Sequence, residues 1–169
     1  MLRVNDVVVY TDLVNSLLNQ DSVKLLVRFV ESFIENNFNA DYTAIYVFNK
    51  ERERLELKFA HGFSEEERVM AEKTAMERHP GEVFKNKKGF YVPDTLTDNT
   101  TVDSPRSFSV RSRLYRPIIV EENVRGVFGI VSGKPNAFSE YEIKFFELFC
   151  TLCSIAFDKI EKNCYKIKK

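Results

Sequence analysis

Cys150-Thr151-Leu152-Cys153 and the two histidines, His61 and His79, are the residues of this chain whose types most readily do chemistry. A CxxC pair can exchange electrons or supply half of a metal site. A redox pair of that kind sits at a helix N-terminus, where the dipole lowers the thiol pKa. This pair lies well inside the last helical segment, on its apolar stripe, and reads as two small packing residues. Neither histidine has a partner at ligand spacing, and there is no HExxH. His79, just before Pro80-Gly81, reads as part of a helix-stopping turn. Asp94, Asp98 and Asp103 crowd one polar stretch with Thr95, Thr97, Thr100 and Thr101. Such a stretch could coordinate a cation or hydrogen-bond a ligand, and it also has the composition of a solvated loop. With no GxSxG, P-loop or GxGxxG, nothing is assembled for catalysis, so no enzyme activity and no metal site is expected.

Cationic chemistry is concentrated in SVRSRLYRP, Ser109 to Pro117, where Arg111, Arg113 and Arg116 precede the apolar run Ile118-Ile119-Val120 and Arg106 stands upstream. The run could be a nucleic-acid patch, an anion pocket or a solvated strand face. Lys plus Arg and Asp plus Glu both number 25, so the chain has no basic excess and nucleic-acid binding is not expected. Along a strand, Arg111, Arg113 and Tyr115 share one face, and Val110, Ser112, Leu114 and Arg116 share the other.

The elements that must hold these residues can be read from hydrophobic period. At 169 residues and 44% hydrophobic composition, the chain suits one domain with one good core. MLRVNDVVVY is too short and too charged for a signal peptide or a membrane span. Three cysteines, all in the last twenty residues, argue for a reduced, cytoplasmic protein. A helical period runs from Thr11 to about Asn37, with a break near Asn19-Gln20. TAIYVF from Thr43 and LELKFAH through Phe59 make a hairpin around a charged tip. Ser64 opens a capping-box helix expected to reach Arg78. A short strand over Gly89 to Val92 and a polar loop from Pro93 to Ser109 follow. A second hairpin pairs Val110–Val120 with Val124–Val131, and Ser139 caps a final helix reaching the early 160s. Hairpins flanked by helices predict an α+β fold with an antiparallel sheet. The expected layout is an extension over residues 1–10, one domain over 11–163 and a basic tail over 164–169.

In the final helix, Ile143, Phe146, Cys150, Cys153, Phe157 and Ile160 alternate at spacings of three and four, a heptad stripe that continues through Cys164 and Ile167. A second apolar set, including Phe145, Leu148, Phe149, Leu152 and Ile155, widens the apolar arc to about 240°. One part of that arc can pack on the sheet and the other calls for another helix. The first helix could supply it within the chain, and a second copy would also satisfy it. The six stripe residues are therefore the expected interface of a homodimer formed through the terminal helices.

The order of elements, with TAIYVFN, GFYVPD and SRLYRPIIVEENVRGVFGIVSGKPNAFSEYEIKFFELF, resembles the GAF domain, a small-molecule-sensing module of bacterial signalling proteins. ERHPGEVF is similar to a subgroup found beside histidine kinases. The resemblance implies a GAF/PAS-like antiparallel sheet of five to six strands. The N- and C-terminal helices would lie on one face, with a loop and short helices over a pocket on the other. It also implies that Tyr46, Phe48, Phe59, Val92, Asp94, Ser112, Leu114 and Arg116 line that pocket. In that frame Arg111 and Arg113 turn outward or toward the helices, and Arg116 points inward, either pairing with a carboxylate such as Asp94 or holding an anionic ligand. The implied function is non-catalytic sensing of a small molecule whose identity, like any cofactor, the sequence leaves unknown. The alternative is a structural dimerisation domain whose pocket is filled by its own side chains. A partner such as a histidine kinase or transcription regulator would receive the signal. The cyclic-nucleotide signature is missing: Ser132-Gly133 stands at the Asn-Lys site and Glu142-Ile143 at the Asp-Glu spacing after Phe138. The family's enzymatic branch, free methionine-R-sulfoxide reductase, uses cysteines near the pocket loop, and none occurs between Ala60 and Phe149.

Overall fold

The computed structural model describes residues 4–38, 40–97 and 109–167, and for residues 4–9 and 164–167 it describes the backbone alone. Two helices, α1 (Val4–Leu18) and α2 (Val23–Asn37), lead into a hairpin of β1 (Tyr42–Asn49) and β2 (Arg54–His61). The break expected near Asn19-Gln20 separates the two helices, and the Ser22 hydroxyl caps the second by accepting from Leu25 N–H. The first helix starts at Val4, so from residue 4 onward the expected extension is helix.

Next come α3 (Glu65–Lys73), a 3-10 turn (Ala75–Glu77), α4 (His79–Asn86) and β3 (Phe90–Val92). Ser64 and Glu67 form the capping box the sequence predicts. The helix ends earlier than Arg78, and His79-Pro80-Gly81 begins a new helix instead of stopping one. Proline is tolerated in a first turn, because its missing N–H would have no partner there. The hairpin of β4 (Ser112–Val120) and β5 (Asn123–Ser132) turns on Glu121 and Glu122, both at positive φ, as a two-residue primed turn requires. Ser139 and Glu142 cap α5 (Glu140–Ile167) reciprocally, and the helix passes through residues 164–167 of the expected tail.

The five strands form one antiparallel sheet in the order β2-β1-β5-β4-β3. On one face α1, α2 and α5 bury Leu17, Leu26, Val30, Ile34, Phe146, Phe149 and Phe157 against Ile45, Leu114, Ile118, Phe128 and Ile130. On the other, the 3-10 turn and α4 bury Ala75 and Val83 against Ala44, Tyr46, Leu55, Tyr115 and Val127. The fold is thus α+β with helices on both faces of the sheet. Two single-residue bulges switch side-chain parity within it. Ile45 faces Phe59 while Tyr46 faces Leu57, which leaves Lys58 as the extra residue of β2. Ile118 faces Gly126 while Ile119 faces Val124, which leaves Arg125 as the extra residue of β5.

The heptad stripe of α5 turns inward. Phe146, Cys150, Cys153, Phe157 and Ile160 are buried within the chain, and Ile143 packs partly buried against the same cluster. The expected dimer residues are therefore core residues of one chain, because the sheet and the first two helices cover them. Phe33 stacks on Phe149 and Tyr10 meets Phe145, so α2 and α1 supply the helical cover. What α5 leaves exposed is Tyr141, Leu148 and Ile155. Cys164 lies beyond the described side chains. Among the described residues no helix is long and apolar enough to cross a membrane.

Candidate functional site

On the α3/α4 face, β4 presents Arg113 and Tyr115 toward the first turn of α4. The Arg113 guanidinium is buried, 4% exposed, and its Nη1 donates toward His79, 3.1 Å from Nε2. His79, 7% exposed, stacks at 17° on Tyr115, and Phe90 of β3 closes against both rings. Position 129 must be glycine for this packing: a Cβ there would lie 2.3 Å from the Tyr115 ring. A guanidinium and an imidazole thus converge on a wall of aromatic side chains.

The residues on either side of positions 98–108 are tied down. Arg111 grips Asp94 with two bonds, Nε to Oδ1 at 3.0 Å and Nη2 to Oδ2 at 2.9 Å. These bonds hold the Asp94 carboxyl below its ordinary range and push Arg111 above its own. Thr95 N–H donates to Arg111 O, its hydroxyl donates to Val110 O, and Asn136 N–H donates to Pro93 O. Asp98, Thr100, Thr101, Asp103 and Arg106 lie outside the described residues.

The eight residues expected to line one pocket divide between the faces. Tyr46 and Phe48 lie on the α3/α4 face, where Phe48 meets Phe84. Val92 pairs with Arg113 and shares that side. Asp94 stands at the base of the loop, paired with Arg111 and not with Arg116. Phe59 faces the long helices, because the Lys58 bulge reverses its parity relative to Leu55 and Leu57. Leu114 is buried under those helices, and Ser112 and Arg116 share its side of β4. The parity read for β4 is right and its direction is reversed: Arg113 and Tyr115 point into the candidate site, and Arg116 points to α5. Both alternating sets of this strand are buried, so hydrophobicity alone could not orient it. His79, Tyr115 and Phe90 are the residues that sequence reasoning missed; only the shared parity of Arg113 with Tyr115 pointed toward them.

Cys150 and Cys153 are buried, and desolvation pushes both thiols far up, away from the thiolate that redox or metal chemistry needs. Among the described residues no group of three His, Cys, Asp or Glu side chains could hold a metal.

The model of the GAF domain family matches residues 20–158. A search of curated protein sequences returns no match. Among solved structures, the chain resembles the GAF domain of an Acinetobacter phosphoenolpyruvate-protein phosphotransferase, at 17% identity and a TM-score of 0.70, covering 92% of this chain and 93% of that one. Free methionine-R-sulfoxide reductase from Neisseria meningitidis, solved with its substrate, is similar at 14% identity and a TM-score of 0.74, over 90% and 88% of the two chains. A domain assigned to a two-component sensor histidine kinase of Sinorhizobium meliloti aligns at 13% identity and a TM-score of 0.70, over 89% and 100%.

Proposed function

The chain belongs to the GAF domain family, and from that membership we propose that it is a non-catalytic sensory or regulatory module whose α3/α4 face binds a small molecule with an acidic group. The observation that carries this reading is the buried Arg113 guanidinium beside His79, set among Tyr115 and Phe90. A guanidinium presents a planar fork of donors that matches carboxylate and phosphate oxygens, so an acidic group is the ligand chemistry that Arg113 suits. The burial of both described thiols supports the non-catalytic assignment over the reductase chemistry of the Neisseria relative. Signal would pass through β4, whose alternate residues reach both faces: Arg113 and Tyr115 touch the site, while Leu114 and Ile118 touch the long helices. Those helices would form a homodimer, or meet a cytoplasmic partner such as a histidine kinase or a transcription regulator.

A thermal-shift screen with nucleotides, 2-oxo acids and amino acids tests the site. At a ligand concentration a hundred times Kd, binding stabilises the folded state by about 2.7 kcal/mol. The expected result is a saturable rise in Tm that Arg113→Gln abolishes and His79→Phe weakens. A rise that both variants retain, or none across the library, rejects the site. The second reading, a structural dimerisation domain, is favoured by one observation: Tyr46, Leu55, Val83, Tyr115 and Val127 already fill much of the face. It expects dimerisation without any ligand response.

A further inference from the structure

We propose that a groove between the open end of β4 and α5, on the opposite side of the sheet from Arg113, binds a small phosphorylated molecule with Arg116 as its anchor. β3 pairs with β4 only at Arg113 to Tyr115, so from Arg116 onward the outer edge of β4 is uncovered. The space beside it measures about 450 Å³ and is bounded by the Lys87–Gly89 link and by α5 from Glu147 to Ser154. That volume suits a small metabolite.

The charge of the groove selects the ligand. Lys87, Lys88 and Arg116 face a single carboxylate, Glu147. The Arg116 side chain is only 14% exposed; its Nη1 donates to Tyr115 O at 3.1 Å. Its buried Nε has no hydrogen bond, and the nearest carboxylate oxygen, on Glu147, is 3.8 Å away, beyond hydrogen-bond reach. Gly89 lets the side chain lie flat, since a Cβ there would stand 2.4 Å from Arg116 Cδ. Lys87 spends one proton on Glu122 O at 2.7 Å and keeps two, and Lys88 is exposed.

The hydroxyls are already committed. Ser154 donates to Cys150 O and accepts from Ile119 N–H, and Thr151 donates to Glu147 O. The groove therefore offers cationic donors, and it matches a ligand made of acceptors. Three cations against one carboxylate favour a dianion over a monoanion, and a guanidinium fork matches phosphate oxygens. A peptide adding as a strand is excluded by the same contacts: Pro117 has no N–H, Ile119 N–H is taken by Ser154, and Tyr115 O is taken by Arg116.

The test titrates phenyl phosphate into labelled protein at constant ionic strength and follows backbone amide shifts, with benzoate as the monoanionic control. Saturable shifts centred on Gly89, Thr151 and Ser154 are expected, with phenyl phosphate binding about tenfold tighter than benzoate. Arg116→Gln should weaken binding about tenfold, and Glu147→Gln should tighten it about threefold by removing the competing carboxylate. Lys88→Gln and Glu147→Gln change exposed side chains, so they keep the test decisive if the Arg116 variant fails to fold. Shifts at His79 and Arg113 belong to the other face and are followed separately; no saturable shift at Gly89, Thr151 and Ser154, equal binding of the two probes there, or affinity there unmoved by Lys88→Gln and Glu147→Gln would overturn the proposal.

Discussion

Asp41 shows how single residues hold the ends of this fold together. Its carboxylate accepts from Gly133 N–H at 2.8 Å and from the Ser132 hydroxyl at 2.7 Å, joining the start of β1 to the end of β5. The Gly133 bond, and then the Ser132 bond, hold the Asp41 carboxyl below its ordinary range. A depressed folded-state pKa means that folding favours the charged form. That stability is complete above the unfolded-state value and is lost as pH falls through the folded-state value. Asp41→Asn should therefore lower stability at neutral pH by roughly 1 kcal/mol, kept small by the exposure of the site. Urea melts of the two proteins should converge as pH drops below the aspartate range; a gap independent of pH would contradict the charge argument. Gly129 makes a sharper case. Gly129→Ala places a methyl into the Tyr115 ring, so it should cost about 1–3 kcal/mol by overpacking and displace the ring from His79. Near-UV circular dichroism and a denaturant melt would record both effects. Neither residue was legible in the sequence: Asp41 acts through a partner 91 residues away, and Gly129 matters only through the ring that the neighbouring strand lays across it.

Among the elements, α5 is where reading and structure differ most usefully. Its caps, its length and its wide apolar arc were legible, since Ser139 and Glu142 announce the start and the three-four spacing is unbroken. Which part of the arc meets the sheet was not legible, because both parts are apolar and only the tertiary fold assigns them. The assignment is testable by contrast. Phe146→Ala should cost about 3–5 kcal/mol, as a cavity in a closed core does. Leu148→Ala, 43% exposed in the protomer, should change monomer stability by less than about 0.5 kcal/mol. Equal losses would mean that the helix is rotated. The strands teach the same lesson through their bulges. Strict alternation from Leu55 through Leu57 carries Phe59 to the wrong face, and the Lys58 bulge that corrects it has no signature in LELKFAH. By contrast, the β4–β5 turn was placed correctly by its polar run alone.

The whole molecule is a sheet with a large helical core on one side and an aromatic, partly polar face on the other, and a second copy would pack where the first side is left uncovered. Tyr141, Leu148 and Ile155 recur every seven residues along the outside of α5, and Leu25 of α2 is also exposed. A repeat of seven is the spacing that keeps side chains on one line when two helices pack side by side. The buried stripe expected to dimerise cannot do so without opening the core, so a dimer formed through α5 must use this outer line. Replacing Leu148 and Ile155 together by lysine places two charges on it while leaving the core cluster intact. Wild-type protein should then scatter light as a dimer above a threshold concentration, and the double variant as a monomer with an unchanged thermal transition after correction for concentration. A wild-type chain that stays monomeric at high concentration would remove the dimer. A double variant that stays dimeric would move the interface to α1 or to the exposed side of α2, and signalling through α5 would then have to act within one chain.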